Sequence, residues 1–409
     1  MKKKLYTILT LALALAVCAT FITGMPTAAS AAGTSLTEAS ELFTERDLEQ
    51  TADLSGAVTL EVSEGENITI TEEGVYLISG SASEATIVVD AEDAKVQLVL
   101  NAVTITNSDF PCIYVRSADK VFVTTAADSS LTVSGAFTGD GETNTDGAIY
   151  SKSDLVLNGT ATLTISSTAN GVVSKDDLKV TGGSYVVNAG SHALEGKDSI
   201  RVCGGSFQLK AGKDGLHSDN AEEAEKGYIY LSGGSFTIQA ADDGIHAVSF
   251  IQIDGGSYTI SASEGIESTM VVINDGSITI SASDDGVNAA RKSAYYQTSV
   301  EINGGELNIT MGAGDTDGVD SNGTLTITGG TISVSGNSCF DVDGTVSFTG
   351  GTVYVNGEQV STIPVQMMGG GMGGMRGGWG GMPGGMNDMG GGMPGGGMPG
   401  GGMPGGYRG

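Results

Sequence analysis

Apolar and polar residues alternate with a period of two along most of this chain, as in Leu178-Lys179-Val180 and Ser184-Tyr185-Val186-Val187. That period turns one face of a strand toward a core and the other outward. The runs are short and bounded by Gly, Asn or Asp, so the pattern predicts an all-β chain. Glycine pairs at 182–183, 204–205, 233–234, 255–256, 304–305, 329–330 and 350–351 each separate two alternating runs, giving three short strands per repeat.

A second repeat is offset from the first. It reads D-G-A-I at 146, N-G-V-V at 170, H-A-L-E at 192, D-G-L-H at 214, D-G-I-H at 243, E-G-I-E at 264, D-G-V-N at 285, D-G-V-D at 317 and C-F-D at 339. Most copies lie about 21 to 25 residues apart, a spacing that marks stacked repeats. One such unit cannot bury its inward face alone, whereas stacked coils bury a continuous Val, Ile and Leu column. The expected architecture is a parallel β-helix, with Gly and Asn at the bends supplying positive φ.

The stretch 45–134 holds strands without the D-G signature, at 58–62, 68–70, 75–78, 86–89, 96–100, 121–124 and 131–133. These are assigned to the first coils and their cap, because an uncapped end offers edge strands for aggregation. Two repeats carry insertions, 220–227 and 291–297, expected to loop out from one corner. They either border a ligand groove or are plain surface insertions. Residues 366–409 are mostly Gly, Met and Pro and are expected to form a flexible tail. Their thioethers suit Cu(I), but no His or Cys accompanies them.

Residues 1–31 have the make-up of an export signal, with Lys2, Lys3 and Lys4, an apolar run and an Ala29-Ser30-Ala31 cleavage site. No later segment is apolar enough to span a membrane. The predicted organisation is signal 1–31, linker 32–44, β-helix domain 45–365 and tail 366–409, in a secreted or cell-surface protein. Leu15-Ala16-Val17-Cys18 loosely matches a lipobox, although Val17 is a poor residue before a lipidated Cys18. Cys112, Cys203 and Cys339 are odd in number and widely spaced, which suits buried small hydrophobes better than disulfides or a cysteine zinc site.

Charge narrows the partners. A net charge of −29, with only 19 Lys plus Arg, argues against nucleic acid and anionic membranes. In stacked coils, equivalent carboxylates lie about 4.8 Å apart and repel by roughly 1 to 3 kcal/mol per pair. Calcium, which takes six to eight oxygens, is the natural compensation. The expected ligands are Asp214, Asp219, Asp242, Asp243, Glu267, Asp284, Asp285, Asn288, Asp317 and Asp320, with Glu195 and Glu264 as lesser members and D-G carbonyls completing the shells. The competing interpretation makes each D-G a turn former whose side chain bonds its own backbone.

His217 and His246 fall at equivalent positions of neighbouring coils, with His192 in another column. Stacked imidazoles beside carboxylates suit Zn²⁺, although such residues are more often polar groups at a core rim. No nucleophile elbow, P-loop or H-E-x-x-H is present. A lyase would need a base near calcium, for which Lys213, Lys197, Lys175 and Arg291 are the candidates. As counter-charges to the acidic positions, Lys175, Lys197 and Lys213 need no catalytic role.

The stretch 43–54 (F-T-E-R-D-L-E-Q-T-A-D-L), G-V-Y-L-I-S-G at 74, K-V-Q-L-V-L-N at 95, K-D-G-L-H-S-D-N, A-D-D-G-I-H-A, A-S-D-D-G-V-N-A-A and G-D-T-D-G-V-D-S-N-G resemble the secreted bacterial carbohydrate-binding β-helix family. The resemblance covers about residues 43–365, and the Met-Gly tail is similar to tails of such proteins. It implies a right-handed β-helix like that of pectate lyases, bound calcium, and binding of cellulose or pectic acid without established cleavage. The departures at His192-Ala193 and Cys339-Phe340 count against metal at those coils. The expected function is calcium-dependent, non-catalytic polysaccharide binding, with Lys213, Arg291, Tyr295 and Tyr296 touching sugar. A calcium-dependent lyase and a calcium-rigidified adhesive protein are the alternatives.

Overall fold

A computed structural model of the chain describes residues 36, 37, 39–314 and 316–364. The expected export signal with Cys18, and the Gly-Met-Pro tail, lie outside these residues. Strands make up more than half of the described residues, in one sheet of 22 strands and one of 12. The helix Ala39–Leu42 is a single turn.

Most repeats give three strands, as expected; in two of them the first pair runs together as Phe250–Ala262 and Met270–Ala282. Asp177–Val180, Ser184–Ala189 and Leu194–Gly196 are followed by Ser199–Val202, Ser206–Ala211 and Leu216–Ser218. The sets pair in parallel, with Leu178 on Ile200, Tyr185 on Phe207 and Leu194 on Leu216. The first two strands of each repeat join the larger sheet and the third joins the smaller. Inward residues therefore stack like on like. Val172, Leu194, Leu216, Ile245, Ile266, Val287, Val319 and Phe340 are all fully buried in the third strands. Tyr185, Phe207, Phe236 and Tyr258 stack face to face at 5.3, 4.3 and 4.9 Å between ring centroids. Each buried side chain of this size contributes about 1.5 to 3 kcal/mol.

The glycines serve two different purposes. In the pairs, the second member turns the corner with positive φ, as at Gly256 (φ 101°), where a Cβ would also fall 2.6 Å from the Tyr258 hydroxyl. The D-G glycines were expected at bends, and Gly215 is in one, but most lie inside strands such as Asp243–Ala247. There the requirement is close approach: a Cβ on Gly244 would meet Ile260 Cγ2 at 2.4 Å and the Gly265 carbonyl at 2.6 Å.

The described part of the stretch expected as a linker is packed. Leu42 is buried with Tyr228, Tyr230 and Phe250. The Leu36 and Thr37 amides donate to the side chain of Gln252. Further along, fully buried Asp47 pairs with Lys179 at 3.2 Å and Lys120 at 3.4 Å. Burial raises the Asp47 carboxyl, but the Thr44 amide and the two lysines outweigh this and hold it below its usual value. Cys112 and Cys339 are buried and Cys203 is half-buried, all free. Residues Thr352–Val355 pair antiparallel with Glu358–Val360, interrupting the parallel ladder near the end of the described chain.

Candidate functional site

The residue after the buried apolar position of the third strand sits on the outer face of the smaller sheet, and from 170 to 317 it is the fourth residue of the repeat signature. Cross-strand register makes these positions a single column running Val88, Tyr114, Tyr150, Val173, Glu195, His217, His246, Glu267, Asn288, Asp320 and Asp341. Its first four members form a separate buried apolar cluster. From Glu195 onward the column is polar or ionisable.

A neighbouring column is made by the first residue of each signature. Its side chains accept backbone amides from the next coil. Asp214 Oδ1 accepts from Asp243 at 3.1 Å, and Asp285 Oδ1 accepts from Asp317 at 3.2 Å. The backbone-bonding alternative is thus half right, since the bonded amide belongs to the following coil. The carbonyls expected to complete calcium shells are engaged in the ladder. Asp214 and Asp243 oxygens accept amides of Ala193 and Gly215, and the Asp242 and Asp284 oxygens accept those of Ser263 and Asp317.

The chain neutralises the first part of the ionisable column with its own cations. Glu195 takes Lys175 at 2.6 Å and the Asn170 amide at 3.0 Å. Lys175, expected as a counter-charge, fills that role here and keeps 34% of its side-chain exposure. Asp214 Oδ2 lies 2.6 Å from His217 Nδ1 and 3.1 Å from His192 Nδ1. His246 Nδ1 lies 2.6 Å from Asp243 and 3.0 Å from Glu267, whose other oxygen takes Lys292 at 2.6 Å. Burial opposes the imidazolium charge, but these carboxylates outweigh it and lift His217 to about 9 and His246 to about 10. Burial likewise raises Glu267, but the hydrogen bonds of His246 and Lys292 bring it down to about 2. Asp214 is lowered in the same way by His192 and His217.

The next coils have no such partner. Burial pushes the Glu264 carboxyl up to about 8; its hydrogen bond from Asn288 offsets this in part, and Glu267, Asp243 and Asp285 add to it. Asp285 rises to about 6 through burial, moderated by the Asp317 amide and reinforced by Asp284 and Asp317. Asp320 rises to about 7 through burial and the charges of Asp285, Asp317, Asp341 and Asp343. Asn288 donates to Glu264 at 3.0 Å, while its Oδ1 is buried without a partner.

Of the ten expected metal ligands, Asp214, Asp243 and Glu267 belong to close groups of metal-competent atoms, with His192, His217, His246 and Glu264 completing those groups. Asp285, Asn288, Asp317 and Asp320 follow in the next coils of the same two columns. Asp219, Asp242 and Asp284 are exposed, and Asp219 reaches only His217 Nε2, at 3.9 Å. His192, placed in another column by its sequence position, stacks on His217 with 4.0 Å between centroids, and His217 on His246 with 5.1 Å. Lys292 was missed because it lies in an insertion, outside any repeat position.

The two insertions meet, since the Tyr295 hydroxyl donates to the Glu222 carbonyl at 3.0 Å. Tyr295 is exposed, whereas Tyr296 packs against Phe250 at 5.2 Å and offers less surface to a sugar. Lys213 and Arg291 are exposed and carry no ion pair among the described residues.

A sequence model of the family described as carbohydrate-binding domain-containing protein matches residues 64–315 and 267–361. A carbohydrate-binding domain-containing protein of Acetivibrio thermocellus is 41% identical over 175 residues, which is 41% of this chain and 61% of that protein. The chain thus spans about three fifths of that relative's length. A solved structure described as the polysaccharide lyase-like protein from C. thermocellum, gadolinium derivative, is 31% identical with a TM-score of 0.49, covering 55% of this chain and 96% of that one. With the family match extending over most of the described residues, the chain belongs to the carbohydrate-binding domain-containing protein family.

Proposed function

We propose that this protein is a secreted, non-catalytic binder of acidic polysaccharide that uses calcium on the later coils of its carboxylate ladder. The coils are read as a right-handed parallel β-helix. The family description supplies the carbohydrate. What carries the calcium is one observation: Glu264, Asp285 and Asp320 are partly buried together, have no cationic partner among the described residues, and are pushed up to about 8, 6 and 7. A group with such a deficit of positive charge is relieved by protons or by a metal ion.

The donors fit calcium. They are carboxylate and amide oxygens, and calcium takes six to eight oxygens at about 2.3 to 2.6 Å, so two bonds span about one coil spacing. Glu264, Glu267 and the orphaned Oδ1 of Asn288 would hold one ion, with Asp285, Asp317 and Asp320 serving the coils beyond. Calcium so held keeps positions for a uronate carboxylate, which lets an acidic protein hold an anionic polymer. Exposed Lys213, Arg291 and Tyr295 supply direct charge and a ring face.

The test uses chelator-treated full chain. Calcium should give a calorimetric binding signal and raise the unfolding midpoint, and polygalacturonate should be retained only with calcium. Absence of both calcium signals, or retention indifferent to chelator, sinks the proposal. Absorbance from unsaturated uronides would replace it with the lyase alternative.

A further inference from the structure

Three nitrogen and oxygen donors meet at the earlier end of the ladder in a way the polysaccharide proposal does not use. Asp214 Oδ2 stands 2.6 Å from His217 Nδ1 and 3.1 Å from His192 Nδ1, and all three atoms lie within 4.8 Å of one another. The Asp214 backbone amide also points at His192 Nδ1, 3.4 Å away. Both ring Nδ1 atoms converge on one oxygen of the Asp214 carboxylate, and a divalent cation can take the place of the ring protons in these contacts.

Asp214 is buried, while the His192 and His217 side chains retain 11% and 16% of their exposure, so the three donors border solvent. We infer that His192, Asp214 and His217 form a site for one borderline divalent transition metal of the zinc class, distinct from the all-oxygen calcium positions. Two imidazoles and one carboxylate are a zinc-type donor set, leaving a fourth position for water, whereas calcium prefers oxygen alone.

Metal–ligand bonds of about 2.05 Å set tetrahedral donors about 3.3 Å apart. The 2.6 Å contact therefore opens by under about 1 Å, and the 3.1 Å contact nearly fits already. The rings, stacked with 22° between their planes, must splay further so that both lone pairs converge. Ring rotation about the Cβ–Cγ bond supplies that motion with no change in the ladder. His246 is outside the set. Its Nδ1 is taken by Asp243 and Glu267, which the proposed calcium coils share.

Cobalt(II) is the probe, because it occupies zinc sites and is coloured. Copper is avoided because the chain's 14 methionines would compete for its reduced form. Tag-free, chelator-treated full chain is titrated with Co²⁺ in a large excess of Ca²⁺. The expected result is one equivalent bound with visible d–d bands, displaced by Zn²⁺ and unaffected by Ca²⁺. H192Q should weaken binding by more than about tenfold, the least expected when a direct ligand is lost. H246Q, titrated well below its lowered unfolding midpoint, should leave it nearly unchanged. Two paramagnetically shifted, exchangeable ring N–H signals should appear in the unsubstituted protein, since Nδ1 coordination leaves both Nε2 protons in place; this readout does not depend on any variant folding. Competition by Ca²⁺, equal loss in H192Q and H246Q, or fewer than two such signals overturns the assignment. The calcium and polysaccharide proposals survive that outcome, because their tests read different sites.

Discussion

Glu195, His217, His246 and Glu267 occupy one half of an outer column, and Asn288, Asp320 and Asp341 occupy the other, on the same sheet and in unbroken register. The backbone treats the two halves alike. They differ in where the counter-charge comes from. In the first half each carboxylate meets Lys175, an imidazole or Lys292 from the chain itself. In the second half Asp320 sees only other carboxylates. The parallel strand register thus sets the spacing of a ladder, and the side chains of one column decide whether its charge is closed within the protein or left to solution.

Removing an internal cation breaks this difference most severely. His246→Gln leaves Asp243 without its partner and Glu267 with Lys292 alone. Breaking a buried pair from one side costs about 3 to 5 kcal/mol, so the unfolding midpoint should fall steeply at pH 7. At pH 5 the loss should shrink, because Asp243, raised by burial and by Asp214 and Glu267, takes up a proton instead. An equal loss at both pH values would show that His246 acts by packing and not by charge.

Gly244→Ala disturbs the scaffold beneath both halves. The new methyl would press on Ile260 and on the Gly265 carbonyl of the next coil. Overpacking of this kind costs about 1 to 3 kcal/mol. Thermal unfolding should show that cost with and without calcium alike, which separates a coil-stacking defect from an electrostatic one.

These effects were not equally legible in the sequence. Period-two alternation and paired glycines act within a few residues, so the strands and corners could be read directly. The ladder was legible as well, because coil stacking turns sequence spacing into contact. Its division into two halves was not. His192 joins His217 only through a ring reaching across columns, and Lys292 comes from an insertion with no repeat position. The packing of Leu42 and Asp47 was hidden for the same reason, since their partners Tyr228, Lys120 and Lys179 are remote in sequence. The D-G glycines misled in the other direction. Their usual meaning is a turn, and here they allow one coil to lie close on the next.

The pH dependence of stability should resolve the halves without any substitution. His217 and His246 hold protons more tightly folded than unfolded, so their contribution is complete below about pH 6.5 and is lost as pH rises through about 9 and 10. Asp285, Asp320 and Glu264 also hold protons more tightly when folded. Their contribution is complete below about pH 4 and is lost as pH rises through about 6, 7 and 8. Chelated protein should therefore lose stability in two windows, and calcium should remove the earlier one only. A single window, or calcium acting on both, would erase the distinction.

The smallest effect sharpens the comparison furthest, because its sign depends on calcium. Asp320→Asn removes one charge from a group in which Asp285, Asp317, Asp341 and Asp343 all repel it. Each such contact is worth about 1 kcal/mol in a partly solvated setting. Chelated D320N should therefore be more stable than the unsubstituted chain at pH 8, where Asp320 is mostly ionised, and should approach it only as pH falls below about 4, where the unfolded carboxyl is protonated too. Calcium should reverse the order at pH 8, since the ion gains more from a carboxylate than from an amide. The matching change in the first half, Glu195→Gln, removes a charge that Lys175 and Asn170 already satisfy. It should destabilise whether or not calcium is present. A ladder whose two ends answered calcium in the same way would have no division of labour, and the stabilities of these two variants decide that.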